Sequence, residues 1–458
     1  MAKHFAWMSA ALLAPMLLAM ALLAMSPAPA IAQAGPAAAP TSTVDVHPLP
    51  SMAAKPAPFD AEKATNAYLA RVKGEARAKS DSYFEGGYWL TLWDALYAIA
   101  ASAVLLFPRV SARMRNIAQG VTRSRFLQVP IYILMYTVLT TLLSLPWAIY
   151  EQFLREHQYG LSNQTFVQWL GDFSIFFAVD LVVFALIGTF VYAAIRISRR
   201  YWWVWGTAIM MVFLVIGVAI APVFISPLLN HYKPLREGEL KQNILALARS
   251  EGIPVTNVYE FDASKQSKRM SANVSGMLGT TRISMNDNLL NRGSGREALA
   301  VLGHEMGHYV LNHVLTGIVL NGLVILAGFA FVAWGFGFLT DIFGGVWDVR
   351  AIDDPAGLPV LMALATFFFL VATPVSNTIT RSMEAQADIF GVNAARQPDG
   401  FADAALHLSE YRKLDPSPLE EFVFFDHPSG RNRIHMMMVW KAEHLNDADI
   451  KAGPVSPQ

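Results

Sequence analysis

Apolar stretches long enough to cross a bilayer constrain this chain more than any other feature. Four lie at about 88–107, 127–150, 169–195 and 202–225, and two more at about 314–339 and 358–375. A run of about 20 apolar residues spans the hydrocarbon as a helix, because lipid offers the backbone no hydrogen-bonding partner. The composition agrees. Of 458 residues 54% are hydrophobic and only 15% charged, which excludes a string of soluble domains. The formal net charge is zero and no long basic block occurs, so nucleic acid is not an expected partner. With no cysteine, disulfides and thiolate metal sites are excluded, and metal chemistry falls to His and carboxylate ligands.

The predicted organisation follows the chain. Residues 1–34 carry Lys3, an Ala/Leu/Met run and Ala-x-Ala sites around Ala28, Ala30, Ala32 and Ala34, and read as a signal peptide or a first membrane helix. Residues 35–58 form a Pro/Ala-rich linker, and 59–82 a polar helical segment ending near Tyr83. The expected N-terminal membrane-helix domain is 59–225. A second expected domain is 226–458, interrupted by the last two spans.

Arginines cluster in two loops. Arg109, Arg113, Arg115, Arg123 and Arg125 follow the first span, and Arg196, Arg199 and Arg200 follow the third, whereas 151–168 holds one Arg. The positive-inside bias makes both clusters cytoplasmic and sends the segment after the fourth span to the exported side, the periplasm if this is a bacterial inner-membrane protein. Asp94, Asp172 and Asp180 sit in or near spans. They either line a polar cavity or pair with a neighbouring helix.

Residues 226–297 read as a small α+β piece: a helix over 234–251, a strand over 255–261 and another over 282–286. Between them, 268–279 is either an ordinary hairpin or a sheet edge that takes substrate as an added strand.

The chemistry is concentrated in His304-Glu305-Met306-Gly307-His308. On a helix, residues four apart stand one turn above each other, so His304 and His308 can aim two imidazoles at one zinc ion while Glu305 addresses a water. Gly303 and Gly307 leave room beside the helix for a metal and a second chain. A hydrolytic zinc site takes a third protein ligand. His313 comes too early for it, and Glu384 is the choice, with Asp388 one turn later on the same face. Two spans separate His308 from Glu384, which returns the chain to the side it left.

The combination of His304-Glu-Met-Gly-His308, two spans, Glu384-Ala-Gln-Ala-Asp388 and His427-Pro with Arg433 resembles the type 1 CAAX prenyl protease family. Leu145-Pro-Trp-Ala-Ile-Tyr150, His157-Gln-Tyr-Gly160, Asn163-Gln-Thr165 and Ala272-Asn273 extend the resemblance over about 59–445. It implies a mainly α, polytopic membrane protein of six to seven transmembrane helices with an inserted small α+β, gluzincin-like zinc peptidase domain. It implies one Zn2+ on His304, His308 and Glu384, and Glu305 as general base and later proton donor. It also implies that Asn273 and His427 bind the substrate backbone or the oxyanion, and that Asp388 and Arg433 pair behind the ligands.

Expected partners are a peptide or membrane-protein substrate and the lipid bilayer. Eukaryotic members of the family have seven spans and a cytosolic catalytic domain. Here the signal-like start and the arginine distribution point to the other face and to substrates such as damaged or lipid-anchored envelope proteins. The competing functions are an envelope quality-control protease of the same clan and a membrane scaffold or lipid carrier with a structural zinc. Glu305 argues against the scaffold, since a structural site needs a closed fourth ligand and no base.

Overall fold

Backbone groups in hydrocarbon are satisfied within helices, and the apolar runs fold accordingly. The computed structural model describes residues 59–276 and 281–450; the signal-like segment 1–34 and the linker 35–58 lie outside them. The N-terminal part comprises helices α1 (Ala61–Leu69), α2 (Gly74–Leu106), α3 (Val110–Val121), α4 (Arg125–Ala148), α5 (Phe166–Ile197) and α6 (Trp202–Ile220). Strand β1 (Tyr232–Pro234), helix α7 (Glu239–Ser250) and strands β2 (Val258–Phe261), β3 (Ala272–Ser275) and β4 (Arg282–Asn286) follow. The remainder is helical: α8 (Gly295–Val310), α9 (His313–Trp347), α10 (Leu358–Ala395), α11 (Pro398–Leu408), α12 (Pro418–Phe424) and α13 (Gly430–Glu443).

Six helices have the length and apolarity of membrane spans: α2, α4, α5, α6, α9 and α10. All six match the stretches read from the sequence. One local reading is corrected. The polar segment does not end near Tyr83; Gly74 takes a left-handed φ of 59° and breaks the chain between α1 and α2, after which α2 runs unbroken through Tyr83 into the membrane. Helix formers fill 75–85, so nothing there stops it.

The three acids in the spans have partners. Trp147 Nε1 donates to Asp94 at 2.6 Å, and Asp172 accepts from Gln164 and Gln266 at 2.7 and 2.8 Å, the second bond tying α5 to the loop after β2. Asp180 is buried and is likewise not a free carboxylate.

The sheet has strand order β1-β2-β4-β3, with β2 and β4 parallel and the outer pairs antiparallel. Alternation puts Val258, Val274, Ile283 and Met285 into one buried cluster with Ile244 of α7 and Leu302 and Met306 of α8. Strand β3 is terminal in the sheet and lies against α8. The segment 268–279 thus contains a true sheet edge.

Helices α8 and α10 pack closely through glycine. A methyl on Gly391 would stand 2.7 Å from the His304 backbone N, one on Gly303 2.9 Å from the Gly391 carbonyl O, and one on Gly307 3.1 Å from Ala387 Cα. The space at Gly303 and Gly307 is therefore filled by a second chain segment and not by a metal.

Candidate metal centre

Helix α8 begins with a reciprocal cap: Ser294 Oγ accepts from the Glu297 N–H while the Glu297 carboxylate accepts from the Ser294 N–H. From that fixed start, His304 and His308 fall one turn apart on the face turned to α10, both buried. Their Nε2 atoms are 3.1 Å apart. Glu384, delivered by α10 and 1% exposed, places Oε2 3.2 Å from His304 Nε2 and Oε1 3.6 Å from His308 Nε2. One donor atom from each of the three residues lies within 4.8 Å of the others.

The outer nitrogens are held in a way that frees the inner ones. His304 Nδ1 donates to Asp388 Oδ1 at 2.7 Å, and Arg433 grips the same carboxylate with Nε and Nη2 at 2.8 and 2.5 Å. His308 Nδ1 meets His313 Nδ1 at 2.9 Å, and His313 Nε2 donates to Gln386 Oε1 at 3.1 Å. His313 Nδ1 is then an acceptor, His308 Nδ1 carries the proton, and His308 Nε2 presents a bare lone pair.

The electrostatics also favour a cation. Burial opposes charge on His304, yet Asp388 and Glu384 outweigh it and lift the imidazole to about 10. Among the described residues the buried Glu384 Oε2 has no hydrogen-bond donor of acceptable geometry. Two imidazole lone pairs and a carboxylate converging on one point suit a divalent ion better than a single proton. The donor set thus fits a metal.

A cavity of about 200 Å³ opens beside His304, walled by Met270, Ser271 and Ala272 of the edge segment, by Glu305 and by His427. Burial raises the Glu305 carboxyl above its ordinary range, against the pull of His304 and His308. His427 follows α12. Its Nε2 lies 3.1 Å from Glu384 Oε2 and its Nδ1 2.8 Å from Asp426 Oδ1. Burial and the Arg412 guanidinium hold His427 down at about 4, so it is neutral near pH 7. Asn273 sits on β3 opposite Ser284, beside Ala272, but does not itself line the cavity. His313, Gln386 and Arg412 are the residues that spacing rules did not single out.

Residues 234–441 match the family described as peptidase family M48, and residues 61–231 match one described as CAAX prenyl protease N-terminal, five membrane helices. An uncharacterized metalloprotease, YhfN, of Bacillus subtilis is 31% identical over 353 residues, covering 76% of this chain and 82% of that protein. The chain belongs to peptidase family M48. CAAX prenyl protease 1 of Saccharomyces cerevisiae, 26% identical over 79% of this chain and 86% of its own length, is another relative. The crystal structure of Ste24p from S. mikatae shares the fold, with a TM-score of 0.69 at 20% identity over 82% of this chain and 95% of that one. As an M48 member with six apolar spans, the protein is a multi-pass membrane metalloprotease that uses a divalent metal and acts on peptides or proteins.

Proposed function

We propose that the protein is a zinc endopeptidase that cuts membrane-associated polypeptides, with His304, His308 and Glu384 holding the ion and Glu305 serving as general base. The observation that carries this reading is the convergence of those three donors beside a cavity whose wall includes His304 and Glu305. When bound, the ion supplies Lewis acidity, which makes water a better acid and a carbonyl a better electrophile. Glu305 takes a proton from the attacking water and later gives it to the leaving amine. Its raised affinity for protons suits both tasks. His427 lines the same cavity, its ring held by the Nδ1–H bond to Asp426 Oδ1, and is placed to contact the substrate backbone beside the reacting carbonyl. The terminal strand β3, with Asn273, offers substrate a backbone to pair with. Asp388 and Arg433 fix the His304 ring.

Relatives named CAAX prenyl protease 1 suggest C-terminal CAAX-type segments as substrates. The arginine-rich loops favour a second reading of the substrate: with the centre on the exported side of a bacterial inner membrane, envelope proteins would be cut there. We place the division between an N-terminal membrane-helix domain and the peptidase at 225/226. The test of mechanism is Glu305→Gln. It should keep its metal and lose cleavage of a reporter peptide by about 10²-fold or more, and cleavage at the normal rate would overturn the assignment of the base.

A further inference from the structure

Several cations near the cavity are matched to carboxylates. Arg433 is bound to Asp388, Arg269 to Glu156 at 2.8 Å, Arg292 to Glu410, and Lys413 to Glu85 and Glu420 at 2.6 and 2.8 Å. Arg412 stands among them in sequence and lines the cavity with Tyr411 and His427. Among the described residues its guanidinium has neither an ion-pair nor a hydrogen-bond partner; only its backbone carbonyl is engaged, by Ser80 Oγ at 3.3 Å.

A half-buried guanidinium without a counter-ion gains from an anion brought to it, and its planar fork matches a carboxylate. Arg433, the other guanidinium on this wall, already has its fork closed on Asp388. The rest of the wall suits a peptide, with Ser271 and Ala272 at the sheet edge and Phe401, Ala405 and Leu408 as an apolar floor. The anion is therefore expected to arrive on the substrate itself. Resting on the peptidase reading above, we propose that Arg412 binds a carboxylate of the substrate, either its C-terminal α-carboxylate or an acidic side chain, and so fixes which peptide bond lies at the metal centre.

The test uses the full chain, purified in detergent with zinc, and two pairs of otherwise identical peptides: C-terminal acid against C-terminal amide, and internal Glu against internal Gln. The wild type should prefer the acid member of one pair by about tenfold in KM, the size expected for one charge-assisted bidentate contact. Arg412→Gln should bring that ratio close to one, whereas Arg412→Lys should retain part of it. The pair that responds identifies the source of the carboxylate. Equal KM values within both pairs for the wild type, or an unchanged ratio in Arg412→Gln, would overturn the proposal. Binding of the same peptides to Glu305→Gln, followed by fluorescence anisotropy, separates the two ideas. If the wild type cleaves nothing, the peptidase reading fails, while the acid-over-amide ratio in binding still decides the role of Arg412.

Discussion

His308 is steered by a residue that no motif contains. Helix α8 ends at Val310, Asn312 takes a left-handed φ of 54°, and His313 re-enters as the first residue of α9 with Nδ1 against His308. Because Gln386 fixes the His313 tautomer, the chain Gln386, His313, His308 orients one imidazole of the proposed centre much as Arg433 and Asp388 orient the other. His313→Ala should weaken zinc binding by about 10- to 100-fold, read by competition with a chelating dye; unchanged affinity would mean that His308 is held by the helix alone. That His304 and His308 share a face was legible from the 3.6-residue periodicity, as was the shared face of Glu384 and Asp388, and the fold brings the two faces together. His313 was hidden, since the bend at Asn312 breaks the periodicity, as was Arg412, since a missing counter-ion is a fact about space. The sequence left 268–279 open between a hairpin and a sheet edge; Asn273 lies on the edge strand β3, although its side chain does not line the cavity.

At the scale of elements, the centre depends on how closely two helices approach. Gly303, Gly307 and Gly391 allow the α8 and α10 backbones nearly to touch, and this contact sets Glu384 against the His pair. In an ordinary helix interior Gly→Ala stabilises by up to about 1 kcal/mol. Gly391→Ala should do the reverse, because the new methyl would lie 2.7 Å from the His304 backbone N. The expected outcome is a lower melting temperature and loss of bound metal. A variant that melts higher and keeps its zinc would show that the seam can open without consequence. The spans were legible from hydropathy and β2 from its alternation. Strand β1 was not, because three residues carry too little pattern, and its pairing with β2 is formed only in the folded sheet.

The whole molecule has two unlike ends. At one end Arg115, buried to 1%, bonds Asp348 and Asp354 at 2.7 Å each, Arg199 meets Asp353, and Arg109 donates to the Val346 carbonyl. The arginine-rich loops are thereby gathered with the acidic connection between α9 and α10. Glu384 lies far along α10 from that connection, at the end that carries the sheet and the cavity. If the arginines face the cytoplasm, the C-terminus is exported. A reporter active only outside the cytoplasm, fused after Gln458, should therefore be active in bacteria. Activity only of a cytoplasmic reporter would reverse the orientation.

The central claim is that a carboxylate on the last span completes a metal site begun by two imidazoles on α8. Zinc content measured on purified wild type and Glu384→Ala tests it most directly. The account predicts about one zinc per wild-type chain and little in the variant, with the fold intact by circular dichroism; a Glu384→Ala protein that retains a full equivalent of zinc would contradict it.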